Sequence, residues 1–178
     1  MSTVSTLGHG NRSLDELLAL LHEAGVACMV DVRAHPASRR HPQFAGTSLE
    51  RALGARRIRY VWEGRELGGF RKPRPDSPHA ALESEGFRGF ADHMQTEGFI
   101  AAAGRVLALA AESPTGLLCA ERDPLHCHRS LIADYLVARG ARVMHLLGTG
   151  EVRAHVLSPL ARLEGATLIY DGGTQPLF

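Results

Sequence analysis

The stretch Gly116-Leu-Leu-Cys-Ala-Glu-Arg-Asp-Pro-Leu-His-Cys-His-Arg-Ser130, running on into Leu131-Ile-Ala-Asp-Tyr-Leu-Val-Ala-Arg139, decides the fold. Its first five residues are a short apolar run, of strand length and too brief for a helix. Polar residues follow, interrupted by Pro124. From His128 onward Leu131, Ile132, Tyr135 and Leu136 recur at helical spacing until Gly140. A buried strand, a polar loop and a helix in that order make one unit of a parallel α/β sheet.

The same alternation extends in both directions. Residues 3–8 predict a first strand, ended by Gly8-His9-Gly10-Asn11. Ser13, with Glu16 three residues on, forms a capping box for a helix whose apolar stripe is Leu14, Leu17, Leu18 and Leu21. Residues 26–32 predict a buried strand ending at Asp31-Val-Arg33. Helices are expected over 86–95 and 97–112. Beyond the central unit, the expectation is a strand at 142–147, a helix at 151–163 and a last strand at 166–170. The whole reads as a single α/β domain over residues 1–178. Its expected core is a mostly parallel twisted sheet with helices on both faces, a three-layer arrangement of the Rossmann or flavodoxin kind. Residues 35–80 predict an irregular Arg/Pro-rich insertion holding a short helix (49–55) and a short strand (58–62). A long loop region inside a compact domain is usually functional, so substrate contacts are expected there, and its Gly and Pro content permits a lid.

Composition narrows the class. The 178 residues are 44% hydrophobic and 22% charged, a globular make-up without the run of about 20 apolar residues that a membrane span needs. The first ten residues lack the basic start and apolar stretch of a secretory signal. Three cysteines do not make a disulfide framework, so a reducing cytoplasm is the expected location. The net charge of +1 conceals an asymmetry. Between Arg33 and Arg74 eleven basic residues face three acidic ones, a net of +8, while the remainder has nine basic and sixteen acidic, a net of −7. Such a segment suggests an anionic partner, either a small molecule or a nucleic acid.

In open α/β sheets ligands bind outside the carboxyl ends of the strands. The polar residues at those ends are His9 and Asn11, then Asp31, Arg33 and His35, then Cys119 to Ser130. Asp31, Glu121, Cys127 and His128 are the candidates for catalysis. His9, Asn11, Arg33, Arg39, Arg40, Arg129 and Ser130 are the candidates for holding an anionic substrate. Cys127, just ahead of a helix N-terminus and beside His126, His128 and Arg129, is expected to have a lowered thiol pKa. Glu121, near a strand end, is expected to be partly desolvated and fit for general acid/base work. Asp31 and Arg33 have a second reading as a structural ion pair.

Cys119, His126, Cys127 and His128 also form a candidate metal set, with zinc the ion their chemistry suits. Against that, three consecutive residues do not readily face one ion, and no C-x2-C or H-x3-H pair is present. No G-x-G-x-x-G follows a strand, so no dinucleotide cofactor is expected.

Several motifs resemble those of the domain-of-unknown-function 488 family: Thr6-Leu-Gly-His-Gly-Asn11, Asp31-Val-Arg33 with Pro36, Ser38 and Phe44, Leu67-Gly-Gly69, and Cys119-Ala-Glu121 with Cys127-His-Arg-Ser130. The resemblance runs from residue 3 to about 140 and implies the fold and the site, but no reaction. Gly10 departs from it, standing where the family often has Ser. Rhodaneses share an Asp-Val-Arg segment and a later Cys loop, but their spacing of Cys and Arg is absent, so no persulfide mechanism is carried over. The expected activity is that of a hydrolase or transferase acting on a phosphate-bearing substrate, a nucleotide or nucleic acid. The alternatives are a non-catalytic nucleotide or nucleic-acid binding module and a Cys/His metal-binding protein.

Overall fold

The computed structural model describes residues 1–173, and the site's position follows from its sheet. Ser13 caps the first helix as expected, its hydroxyl accepting from the Glu16 amide. The strands β1 (Thr3–Gly8), β2 (Cys28–Asp31), β3 (Arg59–Trp62), β4 (Thr115–Cys119), β5 (Arg142–Gly148) and β6 (Glu151–Ala154) form one six-stranded sheet in the order β3-β2-β4-β1-β5-β6. The first five run parallel, and β6 returns antiparallel along β5.

Alternation along the strands divides the core in two. Leu7, Met29 and Leu118 face α1 (Leu14–Glu23) and α2 (Gly46–Ala55), packing on Leu17, Leu21, Leu49 and Leu53. Val4, Cys28, Val30, Leu117 and Cys119 face the opposite way. There they meet Phe90 of α4 (Glu85–His93), Phe99 and Val106 of α5 (Glu97–Glu112), and Leu131 and Ile132 of α6 (Arg129–Ala138). A single turn, α3 (Gly64–Leu67), follows β3. Helices therefore cover both faces of a sheet whose side chains obey a period of two, the three-layer α/β fold.

Two expectations need correction. Residues 151–163 are not a helix. Val152, Val156 and Leu160 stand four apart like a helical stripe, yet they are 50%, 80% and 40% exposed and bury no common face. The backbone instead gains hydrogen bonds by adding β6 to the sheet edge. The last strand, β8 (Thr167–Ile169), pairs with β7 (Arg162–Glu164) as a separate hairpin. The short helix and strand expected within 35–80 are present as α2 and β3, but they complete a parallel crossover beside β2 and so belong to the sheet, leaving loops before Pro42 and after Leu67 as the irregular parts.

Candidate active site

The carboxyl ends of β1, β2 and β4 lie at one edge in register, Gly8 opposite Cys119 and Asp31 opposite Leu118. Beyond them the backbones stay joined: the His9 amide donates to the Cys119 carbonyl (2.9 Å) and the Gly10 amide to the Ala120 carbonyl (2.8 Å). The loop from β4 thus crosses directly over the end of β1. A Cβ at Gly8 would stand 1.7 Å from the Glu121 carbonyl oxygen, so that crossing requires glycine.

Two clefts open at this edge. The first, of 510 Å³, has Cys119, Cys127 and His128 on its walls with Gly69, Phe70 and Phe87. The second, of 440 Å³, is lined by His9, Ser38, Arg40 and His41 among others. Arg33, His35, Ala120 and Glu121 belong to both, so the clefts share a wall.

In the first cleft the β4 strand end and the α6 entrance bring three donors together. Cys119 Sγ lies 4.0 Å and Cys127 Sγ 3.8 Å from His128 Nδ1, and all three donor atoms are within 4.8 Å of one another. His128 Nε2 lies 2.9 Å from the Leu67 carbonyl, which can only accept, so Nε2 carries the proton and the Nδ1 lone pair faces the sulfurs. Gly69 packs against that ring, and a Cβ there would sit 3.2 Å from Nδ1.

Donation from the neighbouring Cys127 thiol holds Cys119 well below the ordinary thiol range, and a positive charge on the His128 ring would act in the same direction. The same bond and then burial push Cys127 up. This reverses the expectation for Cys127: the helix end is near, but the neighbouring sulfur and the apolar surroundings outweigh it.

Asp31 is fully buried and saturated. It accepts from the Arg33 amide (3.0 Å), from Arg33 Nε (2.9 Å) and NH2 (2.7 Å), and from the Tyr60 hydroxyl (2.6 Å). Burial first, and then that bond, raise the Tyr60 pKa. Asp31 therefore serves to position Arg33, which forms part of the shared wall, and has no free oxygen for proton transfer. His9 stacks on Phe44 with ring centroids 4.6 Å apart. Its Nδ1–H donates to the Gly10 carbonyl (2.9 Å), and its Nε2 is buried without a hydrogen-bond partner among the described residues. Burial lowers its pKa, which keeps the imidazole neutral.

The remaining candidates fall elsewhere. Arg129 is fully buried beneath the loop, donating to Thr6 Oγ1 (3.3 Å), to the Glu121 carbonyl and to the Arg122 carbonyl (2.9 Å). It ties the loop down and faces neither cleft. Ser130 is similarly occupied with the Cys127 carbonyl (2.9 Å). Asn11 and Arg39 are exposed and line neither cleft, whereas exposed Arg40 lines the second. Glu121 is exposed rather than desolvated, one oxygen accepting from the Asp123 amide (3.1 Å). His126 borders the first cleft at its exposed rim, 77% exposed and 3.1 Å from Asp123, so Cys119, Cys127 and His128 cluster without it. His41 and Phe87 are additions, and Phe44, named above only within a motif, gains a place beneath His9. Their signal was faint: His41 and Phe44 follow the Arg-Arg pair, and Phe87 opens a helix.

Fold and site together define an α/β protein with a soft-donor Cys/His centre beside a basic cleft at the carboxyl edge of its sheet. The chain belongs to the family described as domain of unknown function DUF488, whose family model matches residues 13–136. No curated protein and no solved structure matches the chain.

Proposed function

We propose that the protein is a cytoplasmic enzyme, a hydrolase or transferase, acting on a nucleotide or a similar phosphate-bearing molecule with a flat ring. The observation that carries this reading is the pair of clefts sharing Arg33, His35, Ala120 and Glu121. Each is large enough for part of a small ligand. The second offers an anion Arg40, His41 and the oriented Arg33, while His9 Nε2 is an acceptor for a ligand hydroxyl. The first offers a ring the faces of Phe70, which is 91% exposed, and Phe87. Glu121, on the shared wall, is placed to move a proton between the two halves of such a substrate.

Calorimetry with inorganic phosphate, nucleoside monophosphates and the corresponding nucleosides tests this. Arg40→Ala should weaken both phosphate-bearing ligands about tenfold, as expected for loss of a charge-assisted hydrogen bond. Phe70→Ala should weaken only the ring-bearing ones, by about 1–3 kcal/mol. Failure of every nucleotide to bind sinks the substrate class. Binding without turnover reduces the protein to a binding module, whereas turnover that Glu121→Gln leaves intact, where general acid/base loss costs about 10²–10⁴-fold, removes Glu121 from the chemistry.

A further inference from the structure

We propose that Cys119, Cys127 and His128 bind a divalent ion of the Zn²⁺ type, with the fourth coordination position open to the first cleft. Neither the overall fold nor the proposed substrate requires this ion, and the inference stands on the donors themselves.

A tetrahedral zinc has sulfur at about 2.3 Å and imidazole nitrogen at about 2.0–2.1 Å, which puts a sulfur and a nitrogen of one site about 3.6 Å apart. The two sulfurs lie 4.0 and 3.8 Å from Nδ1, so each needs to close by only a few tenths of an ångström. The imidazole is already in the required tautomer. Its Nε2–H is fixed on the Leu67 carbonyl at 2.9 Å, the outer-shell contact that metal-ligating histidines make, and Nδ1 is left to bind. Charge agrees as well. Cys119 is 7% and Cys127 4% exposed, and two thiolates with one neutral imidazole around Zn²⁺ sum to zero, which suits a buried site. On binding, each thiol that is protonated in the free protein releases its proton to solvent, and the two sulfur lone pairs and the Nδ1 lone pair form the bonds.

Three protein donors leave one position of the tetrahedron, as in catalytic rather than structural zinc sites. All three ligands line the same cleft, so that position faces the space where the substrate is proposed to lie. His126, the fourth candidate in the sequence, also borders this cleft, but it is 77% exposed, its Nδ1 is 3.1 Å from Asp123, and it stands outside the donor cluster.

The test is metal uptake by the reduced full chain, stripped with chelator and then titrated with Zn²⁺ and Co²⁺. One ion per chain is expected, and the cobalt form should show a thiolate-to-metal charge-transfer band with the intense d–d bands of tetrahedral geometry. Cys119→Ser, Cys127→Ser and His128→Asn should each lose stoichiometric uptake, and Cys28→Ala should keep it. Should the serine variants misfold, alkylation of the wild type with and without zinc replaces them: zinc should protect Cys119 and Cys127. Substoichiometric uptake, uptake unchanged in the three variants, octahedral cobalt spectra, or equal alkylation with and without zinc each overturns the proposal. None of these readouts uses a nucleotide, so failure of the metal and failure of the substrate are seen separately.

Discussion

Arg33 owes its place to one carboxylate. A guanidinium that is 6% exposed is tolerable only because Asp31 meets it with two parallel bonds and takes the Arg33 amide as well. The adjacency in sequence is no accident of register. Asp31 closes β2, and Val32 keeps strand-like bonding to the Leu118 carbonyl (2.9 Å), so Arg33 emerges on the same side as Asp31. Removing the carboxylate strands the arginine: Asp31→Ala should destabilise the protein by about 3–5 kcal/mol, read as a lower urea midpoint at constant slope. Tyr60→Phe leaves the ion pair and removes one hydrogen bond to a charged group, so its cost should be smaller, about 1.5–3 kcal/mol. Equal costs for the two substitutions would show that Asp31 does not bear on Arg33.

At the scale of elements, the β4–α6 loop is held from two sides: Gly8 lets it lie flat on the end of β1, and Arg129 draws its carbonyls inward from below. Gly8→Ala should therefore displace residues 120–122 and separate Cys119 from His128. Weakened metal or ligand binding should exceed any loss of helical circular dichroism, and unchanged binding would refute the close crossing. The parallel strands and both halves of the core were legible, because buried strands between amphipathic helices leave a periodicity in the chain. The strand-end rule also located Cys119, His9, Arg33 and Glu121.

What escaped depended on partners distant in sequence. β6 is stable only through its pairing with β5, and Val152, Val156 and Leu160 imitate a helix in the absence of that partner. The donor set was visible as residues but not as a cluster, since only the turn at Pro124–His126 decides that His128 points inward and His126 outward. Arg129 read as a cation for an anionic substrate, although it stands three and four residues before Ile132 and Ala133, both fully buried, and so lies on the inner stripe of its own helix.

Across the whole molecule a single line of hydrogen bonds joins the site to the far side of α6. Arg129 Nε donates to Thr6 Oγ1, which leaves the Thr6 hydroxyl to donate to His145 Nδ1 (2.7 Å). His145 Nε2–H then donates to His155 Nδ1 (2.9 Å), and His155 Nε2–H to Asp134 (2.7 Å), which also accepts from the Tyr170 hydroxyl (2.9 Å). With both histidines neutral the donors along this line run from the cation of Arg129 to the anion of Asp134.

Burial first, then the neighbouring His155, Arg129 and Arg153, lower the His145 pKa from 6.5 to about 4, with Asp123 opposing weakly. His9, His79 and His93 are also lowered, each mainly by burial. Where the folded state holds fewer protons than the unfolded one, stability rises with pH. Between about pH 4 and pH 6.5 the unfolded chain is protonated at this position and folded His145 is not, and the lowered His9, His79 and His93 act in the same direction. Acidification through that window should remove stability, with His145 alone accounting for up to about 3 kcal/mol. Above pH 6.5 the contribution is complete and the histidine-linked slope should vanish. Urea unfolding at a series of pH values measures it, and His145→Gln should flatten the slope between pH 4 and 6.5. A wild-type midpoint that stays level across that window, or a His145 imidazole seen by NMR to titrate near 6.5, would rule out a neutral buried relay.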